Sequence, residues 1–302
     1  MKYWSIAISL IALISACSSG EEEPGKEYEK PGEAIPITLS CGIGSAGKAR
    51  ATDYGYETND RIGLFVVNYN GGKPGALQTA GNHVDNMRFT YDGTWTPDSP
   101  IYWQDDETKA DFYCYYPYAE VTDVAAHPFA VKEDQSADDA YKASEFLYGK
   151  TSGVSPTTSA VSITTYHVMS CAVIEVHPGA GFTQESLEAS QVSVKINNAR
   201  TQATVNLKTG AVTASGEAAS IVPLKTGGKL TYKALVVPQT ITADNFITVT
   251  VDGREFKLKK EATFVSGKRY TIPVTVSKTS NGINVGVGDW EDDDIDYGGV
   301  AE

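Results

Sequence analysis

The sequence predicts an all-β protein whose strands form a β-sandwich architecture. Apolar and polar residues alternate over many short stretches, as they do in strands with one buried and one exposed face. Turn residues such as Asp-Gly separate neighbouring stretches, and the apolar spacing of an amphipathic helix is almost absent. Many short strands with turn signals between them are typical of sandwich folds.

Some neighbouring strands are predicted to form hairpins, because the residues between them tolerate the positive φ angles of tight turns. These turns lie at Asp92-Gly93, Lys208-Thr209-Gly210 and Asp252-Gly253. Alternation predicts further strands at residues 62–67, 112–116, 161–165, 173–176, 192–196 and 270–276. Short helices are predicted at residues 136–143 and 184–189.

The chain begins with the pattern of a bacterial lipoprotein signal. Lys2 precedes an apolar run from Ile6 to Ile14, which suits secretion but is shorter than the roughly 20 residues that span a bilayer. Small residues then lead into Cys17, whose thiol is predicted to carry the lipid, and residues 1–16 are the predicted signal peptide. Palmitate-type acyl chains would anchor the protein in the outer membrane. The alternative is an ordinary secretory signal with a chance cysteine.

Residues 17–34 are predicted to be an acidic, flexible tether. The segment is rich in Glu, Gly and Pro, and it is too polar to bury a core. An acidic run directly after a lipidated cysteine resembles the export tag of surface lipoproteins in the Bacteroides group. That resemblance implies a lipid-anchored protein on the cell surface. A plain solvated linker is the alternative.

Charge and residue spacing exclude several classes of function. The net charge of −13 argues against nucleic acid, whose binding proteins carry basic patches, and against anionic lipid. The histidines are scattered, and the cysteines that follow the lipidated one lack metal-ligand spacing, so neither a metal nor a cofactor is predicted. Cys114 and Cys171 lie in apolar surroundings and are predicted to be buried, while the disulfide state of Cys41, Cys114 and Cys171 stays open.

No catalytic residue is predicted, and the chain is not expected to be an enzyme. Asp105, Asp106 and Glu107 could form a carboxylate pair for sugar hydrolysis, but consecutive acids between aromatic stretches favour a solvated loop. Residues 292–296 begin like a calcium loop, but Tyr297 stands where the loop requires Gly. Nucleophile elbows and phosphate loops are absent from the sequence.

The aromatic residues around 102–118 allow two interpretations. Phe112, Cys114 and Tyr116 share one face of a predicted strand, and Tyr113 and Tyr115 share the other. Because each aromatic side chain buries roughly 150 to 250 Å², the cluster is predicted to be core. Aromatic rings also stack on sugars, so a glycan-binding platform is the alternative.

The composition changes near residue 160. A stretch rich in Gly, Ser, Thr and Pro covers residues 149–159, and the chain is rich in Tyr before it and in Val and Thr after it. We therefore predict an N-terminal β-sandwich domain at residues 35–160. A C-terminal β-sandwich domain with an acidic tail is predicted at residues 161–302.

Seven short phrases extend over most of the chain after the signal. They are Asp60-Arg-Ile-Gly-Leu-Phe65, Phe112-Tyr-Cys-Tyr-Tyr-Pro-Tyr118, Glu145-Phe-Leu-Tyr-Gly149, Tyr166-His-Val-Met-Ser170, Val236-Val-Pro-Gln-Thr240, Phe264-Val-Ser-Gly-Lys-Arg-Tyr270 and Val285-Gly-Val-Gly-Asp-Trp290. In this order the phrases resemble sequences of the fimbrillin family. The resemblance implies two transthyretin-like β-sandwich domains with Greek-key type topology. It also implies a pilus subunit that acts in cell adhesion and assembles with other fimbrillin subunits.

The resemblance further implies that a protease removes the first strand and that a neighbouring subunit replaces it. Ile35, Ile37 and Leu39 alternate with polar or small residues and are the predicted displaced strand. The Gly-rich loop after them contains the predicted cleavage site, Arg50-Ala51, with Lys48 as the second choice. The alternative is a flexible loop that happens to contain two basic residues.

The strand that a subunit donates is expected near the C-terminus. Ile283, Val285 and Val287 alternate and are the predicted donor strand, which could instead complete its own domain. The short acidic segment after Trp290 differs from the fuller appendage of stalk subunits, so tip, anchor and accessory positions stay open. Adhesion ligands would be glycans or proteins of host or bacterial surfaces. The alternative function is a monomeric, outer-membrane glycan-binding lipoprotein for nutrient uptake.

Overall fold

A computed structural model describes residues 34–44, 55–227, 230–242, 245–279, 282–287 and 291–296, the last two ranges by their backbone alone. These residues belong to one compact unit. Strands dominate the described part of the chain, and its helices are short. The predicted all-β fold class is therefore confirmed.

The elements of the first half are β1 (Leu39–Ile43), β2 (Arg61–Asn68), β3 (Val84–Tyr91), β4 (Trp95–Pro97), β5 (Ala110–Tyr116), β6 (His127–Ala130), α1 (Asp138–Lys142), β7 (Leu147–Val154) and β8 (Val161–His167). They are joined by a tight turn between β3 and β4 and by longer connections elsewhere, such as residues 69–83 between β2 and β3.

The second half contains longer strands, in agreement with its richness in Val and Thr. Its elements are β9 (Ser170–Pro178), α2 (Gln184–Ala189), β10 (Val192–Val205), β11 (Val212–Ile221), β12 (Leu224–Lys225), β13 (Thr231–Val236), β14 (Gln239–Ile241), β15 (Ile247–Val251), β16 (Arg254–Leu258), β17 (Ala262–Phe264), β18 (Lys268–Thr279), β19 (Gly282–Val287) and β20 (Glu291–Asp296).

Most described strands of the first half form a seven-stranded sheet in the order β1-β8-β7-β5-β2-β3-β4. The two edge strands approach each other: Trp95 Nε1 on β4 donates a hydrogen bond of 3.0 Å to the Cys41 carbonyl on β1. The sheet is therefore curled around an interior. This interior holds a cluster of buried side chains: Ile37, Leu39, Ile62, Leu64, Val66, Val84, Phe89, Trp95, Ile101, Trp103, Ala110, Phe112, Cys114, Val161 and Ile163.

The outer face of the same sheet is also buried at its centre, on β2, β5 and β7. Phe65, Tyr113, Tyr115 and Tyr148 belong to a second and larger hydrophobic cluster, which includes most of the apolar strand residues of the second half. Strands β2 and β5 consequently have nearly continuous buried side chains rather than strict alternation. The centre of the sheet thus separates two hydrophobic cores.

The second half forms two larger sheets and a ribbon. One has the order β11-β10-β15-β16, and β6 of the first half also pairs with β10. The other has the order β12-β13-β9-β18-β19, with β20 pairing to β18 as well, and β14 pairs with β17. Strand β18 runs parallel to β9, from Arg269 opposite Cys171 to Val276 opposite Pro178.

Gln135 attaches the segment between β6 and α1 to the second half. Its side chain is fully buried, Nε2 donates to the Leu235 carbonyl over 2.8 Å, and Oε1 accepts from the Leu235 amide over 2.8 Å. The side-chain amide therefore satisfies both backbone groups of one residue in β13, as a neighbouring strand would.

The local sequence predictions agree well with the structure. Turns occur at Asp92-Gly93 and Asp252-Gly253, and the glycines have φ angles of 77° and 82°. The turn at residues 208–210 joins β10 to β11, and α2 occupies the predicted residues. These features were predictable because a few adjacent residues determine them.

The stretch at residues 149–159 does not have the structure of a linker throughout. Its beginning lies in β7, which pairs with β5 and β8. A Cβ atom on Gly149 would lie 2.4 Å from the Thr164 carbonyl oxygen, so this glycine permits a close approach of two backbones. The predicted boundary at residue 160 falls between β7 and β8 of one sheet, and the division into two domains stays a prediction.

His127 makes the stability of the fold depend on pH. Its ring is 3% exposed, Nδ1 lacks a hydrogen-bond partner, and burial lowers the pKa of the imidazole below its usual value of 6.5. Between the folded-state pKa and 6.5 the unfolded chain binds more protons, so stability is lost as the pH falls through this range.

We expect His127→Phe to reduce the loss of unfolding free energy between pH 7 and pH 5. As the pH falls, the difference in unfolding free energy between the variant and the wild type should change by at most about 1.4 kcal/mol per pH unit, which is the limit for one proton. Urea unfolding at several pH values measures it, and His177→Gln, at a side chain that is 48% exposed, is the control. Equal pH slopes in the wild type and His127→Phe would contradict the prediction.

None of the helices that the structure describes has the length and apolar character needed to cross a membrane.

Candidate functional site

Strand β1 lies at the edge of the seven-stranded sheet. It pairs in parallel with β8, with Leu39 opposite Val161 and Ile43 opposite Thr165. Hydrogen bonds at both ends extend this pairing: the Val161 amide donates to the Thr38 carbonyl over 2.8 Å, and the Gly44 amide donates to the Thr165 carbonyl over 2.8 Å.

The residues before β1 pair with a different part of the chain. The Ile37 amide donates to the Ile101 carbonyl over 2.9 Å, and the Trp103 amide donates to the Ile35 carbonyl over 2.9 Å. The segment at residues 35–44 therefore touches the sheet on one side and residues 101–103 on the other. We call this segment the first strand.

The side chains of the first strand alternate between the interior and solvent, as predicted. Ile37 and Leu39 are 3% and 7% exposed and belong to the interior cluster, and Ile35 packs against it. Thr38 and Ser40 are exposed. An edge strand thus supplies part of the core of the curled sheet.

Trp95 fixes the first strand from the opposite edge. Besides its hydrogen bond to the Cys41 carbonyl, its ring meets Tyr56 edge-on at 4.8 Å between ring centroids and Tyr91 at 5.0 Å. The indole is 8% exposed. Carbonyl groups of an edge strand lack a second strand partner, and the indole N–H satisfies one of them.

A small polar cluster surrounds Cys41 within this apolar interior. The Tyr56 hydroxyl lies 2.7 Å from Thr165 Oγ1 and 3.8 Å from Cys41 Sγ, and Thr165 Oγ1 donates to the Gly42 carbonyl over 3.2 Å. Cys41 Sγ also lies 3.8 Å from Cys114 Sγ. Burial raises the pKa of Tyr56 well above its usual value, so the phenol stays protonated.

A cleft with about 400 Å³ of empty volume opens beside the end of β1. The side chains of His167 and Glu145 line it, with Nδ1 and Oε2 2.8 Å apart and both side chains largely buried. A second pair joins Lys142 Nζ to Glu57 Oε1 at 2.7 Å. The lining residues are Ile43, Gly55, Tyr56, Glu57, Asp60, Tyr116, Lys142, Glu145, Leu147 and His167. The imidazole of His167 therefore has a hydrogen-bond partner inside the protein.

The predicted donor strand forms an edge of its own sheet. Residues 282–287 form β19, which is antiparallel to β18, with Ile283 opposite Lys278, Val285 opposite Val276 and Val287 opposite Val274. In this structure the segment completes its own sheet. Its role as a donor stays a prediction.

The other predicted processing residues lie outside the described part of the chain. They are Cys17, Lys48, Arg50 and Ala51. The description of the backbone stops at Gly44 and resumes at Gly55. Lipidation and cleavage therefore stay predictions.

The acidic groups that were considered for catalysis or metal binding have local partners or regular structure. Asp105 is exposed and accepts from the Glu107 amide over 3.0 Å and from Thr108 Oγ1 over 2.7 Å, which defines a solvated turn. Residues 291–296 form β20, a strand rather than a loop. Over the residues that the structure describes, groups of side chains suited to a metal ion are not found.

The aromatic residues of β5 are core rather than a sugar-binding platform. Phe112 lies in the interior cluster, whereas Tyr113 and Tyr115 lie in the larger cluster on the outer face of the sheet, each at most 5% exposed. Tyr102 is 44% exposed. The observed burial leaves the glycan-binding alternative without structural support.

Sequence reasoning missed the contacts of Trp95 and the approach of Cys41 to Cys114. The sequence did contain a signal for the approach of Cys41 to Cys114. The alternation with a period of two that places Ile37 and Leu39 in the sheet interior continues to Cys41. Cys114 shares the inner face of β5 with Phe112. The position of Trp95 had no such signal, because it depends on the meeting of two sheet edges.

Comparisons with known proteins find similar fimbrial and cell adhesion proteins. A family model described as fimbrillin-like matches residues 49–290. A candidate fimbrium subunit of Bacteroides uniformis, Fim1C, is 28% identical over 308 residues, covering 96% of each chain. The crystal structure of a candidate cell adhesion protein from Bacteroides ovatus shares the fold, with a TM-score of 0.68 at 18% identity, covering 86% of this chain and 98% of that one. Another candidate cell adhesion protein, from Bacteroides uniformis, has a TM-score of 0.61 at 25% identity, covering 85% and 98%.

Proposed function

The chain belongs to the fimbrillin-like family, and we propose that it is a fimbrium subunit that acts in adhesion at the cell surface. Its relatives include a candidate fimbrium subunit of nearly the same length. The partners proposed for it are other fimbrillin subunits, and its role is structural rather than enzymatic. Surface glycans or proteins are the proposed adhesion ligands.

The observation that carries the proposal is the burial of Ile37 and Leu39 on an edge strand. An edge strand can leave a sheet without breaking the pairing of the strands beyond it. Its departure here would open an apolar groove between β8 and residues 101–103, lined by the interior cluster. A strand from a second subunit with alternating apolar residues could fill such a groove by strand addition.

We propose that cleavage at Arg50-Ala51 releases the first strand together with the lipid on Cys17. Residues 35–44 lie before the cleavage site, and the other strands of the seven-stranded sheet, from β2 onward, lie after it. The lipid would then deliver the subunit to the outer membrane, and its loss would accompany assembly. The strand at residues 282–287, already at a sheet edge, is the proposed donor. Two transthyretin-like domains, divided near residue 160, are the proposed organisation.

Limited trypsin treatment of the purified full chain tests this proposal. We expect a new N-terminus at Ala51 and a ladder of polymers that survives mild SDS, because the opened groove captures a neighbour's strand. Trypsin cuts after Lys and Arg, so Lys48→Gln combined with Arg50→Gln removes both sites of the loop and should reduce the polymer yield at least tenfold. Lys48→Gln alone should assemble normally, with Ala51 at its N-terminus.

Two results would count against the proposal. Protein with Ala51 at its N-terminus that stays monomeric contradicts strand exchange. Equal ladders from the double variant and the wild type contradict cleavage in this loop, and loss of the ladder in Lys48→Gln alone would identify Lys48 as the cleavage site.

A further inference from the structure

Two cysteines that are distant along the sheet meet across its interior. Cys41 lies on β1 and Cys114 on β5, with β8 and β7 between these strands in the sheet order. Their sulfur atoms are nevertheless 3.8 Å apart, because the curl brings the inner face of the first strand over β5. Both thiols are free in this structure.

We propose that Cys41 and Cys114 form a disulfide that ties the first strand covalently to the core. A disulfide bond is about 2.05 Å long, so the sulfurs at 3.8 Å must approach by about 1.8 Å. Side-chain rotation of Cys41 on the edge strand can supply most of this movement. Cys171 cannot compete, because it belongs to the other cluster and contacts the Tyr141 hydroxyl at 3.7 Å.

The thiols of Cys41 and Cys114 differ in exposure and in pKa, and the difference in exposure decides which of them reacts first. Cys41 is partly exposed, and its hydrogen bond with Cys114 lowers the pKa of its thiol. The same bond, together with burial, raises the pKa of Cys114 well above its usual value. Because Cys41 is partly exposed and Cys114 is fully buried, an external oxidant reaches Cys41 first, and Cys114 reacts second.

The oxidant is an external disulfide, either of a thiol-disulfide oxidoreductase or of a small molecule. Cys41 attacks one sulfur of this disulfide and forms a mixed disulfide, and the first leaving thiolate takes the proton of Cys41. Cys114 then attacks the Cys41 sulfur, and the second leaving thiolate takes the proton of Cys114. Two cysteine thiols are oxidised, and one external disulfide is reduced to two thiols. An exported protein passes through compartments that favour this exchange.

The disulfide would control release of the first strand, an inference that rests on the proposed function. Cleavage after Arg50 cuts the chain beyond the first strand, yet a bond from Cys41 to Cys114 would still hold that strand in the groove. The oxidised subunit would then keep its own strand after cleavage. The reduced subunit would release the strand and accept a neighbour's.

Peptide mapping of the full chain tests the disulfide alone. The protein is incubated with oxidised glutathione, its free thiols are alkylated, and it is digested with trypsin without reductant. Trypsin cuts after Lys and Arg but not before Pro, so every cysteine falls on a separate peptide. We expect residues 27–48 to be linked to residues 110–132, in the wild type and in the control Cys171→Ala, and unlinked in Cys41→Ser. Separately alkylated peptides, or links that involve Cys17 or Cys171, would overturn the proposal.

A second measurement tests the control of release. After limited cleavage at Arg50, the oxidised wild type should retain the cleaved segment on a non-reducing gel and give at least tenfold less polymer than reduced protein. Cys41→Ser should assemble equally under both conditions. Equal assembly of the linked and reduced wild type would refute the control by the disulfide. A confirmed link with no assembly in reduced protein or in Cys41→Ser would instead refute strand exchange.

Discussion

Replacement of both Ile37 and Leu39 by alanine is expected to lower the free energy of unfolding by roughly 4 to 8 kcal/mol. Each side chain is almost fully buried in the interior cluster, and a large-to-small change at such a site costs about 2 to 5 kcal/mol. The two residues lie on the same face of the first strand, so their effects need not add. Because domains are stable by only about 5 to 15 kcal/mol, the double variant should be close to unfolding.

Urea unfolding of the double variant measures this loss. Thr38→Ala with Ser40→Ala is the matched control, because both side chains are exposed on the same strand. The control should change stability by at most about 0.5 kcal/mol per residue. Similar midpoints for the two double variants would show that the first strand does not hold the interior together.

The stability that Ile37 and Leu39 supply by their burial also explains why cleavage would lead to assembly. A subunit without the first strand loses the burial that Ile37 and Leu39 supply, and the exposed groove is apolar. The most effective compensation is another alternating strand in the same position. An assembly driven in this way would begin only after cleavage, because the subunit's own strand occupies the groove until then.

Local features of the fold could be predicted from the sequence because they depend on neighbouring residues. The turns at Asp92-Gly93 and Asp252-Gly253 follow from backbone preferences, and the inward side chains of Ile37 and Leu39 follow from a period of two. The identification of the first strand as a core element rested on these signals. The lipid on Cys17 was predicted from the signal pattern before it, whereas removal of the first strand rested on the family resemblance.

Contacts between distant parts of the chain could not be predicted in the same way. The parallel pairing of Leu39 with Val161 joins residues more than a hundred positions apart, and nothing in either stretch specifies the other. The burial of Gln135 had no signal in the sequence either, because a polar residue in a loop is usually exposed. Its side-chain amide finds a partner only because the fold places the backbone of Leu235 beside it. The role of Gly149 within β7 had no clear signal either, since glycine marks both turns and close backbone approaches, and the stretch that it begins was used to place a domain boundary.

Replacement of Trp95 by alanine is expected to lower the free energy of unfolding by about 3 to 5 kcal/mol and to loosen the first strand. The indole packs against Tyr56 and Tyr91 and donates to the Cys41 carbonyl. Its removal leaves a cavity where the two sheet edges meet. Hydrogen exchange of the amides at residues 39–43 should therefore accelerate more than exchange in β2.

Trp95→Phe separates the two contributions of this indole. The phenyl ring keeps most of the packing and loses the hydrogen bond to Cys41, so it should cost about 0.5 to 1.5 kcal/mol. Trp103→Phe is the matched control, because its indole donates to the Thr157 carbonyl over 3.2 Å and not to residues 39–43, and its backbone hydrogen bond to Ile35 is kept in the variant. Both variants should lose similar stability, but only Trp95→Phe should speed exchange at residues 39–43. Equal exchange in the two variants would mean that Trp95 supports the core without holding the first strand, and release of that strand would then depend on β8 and the interior cluster alone.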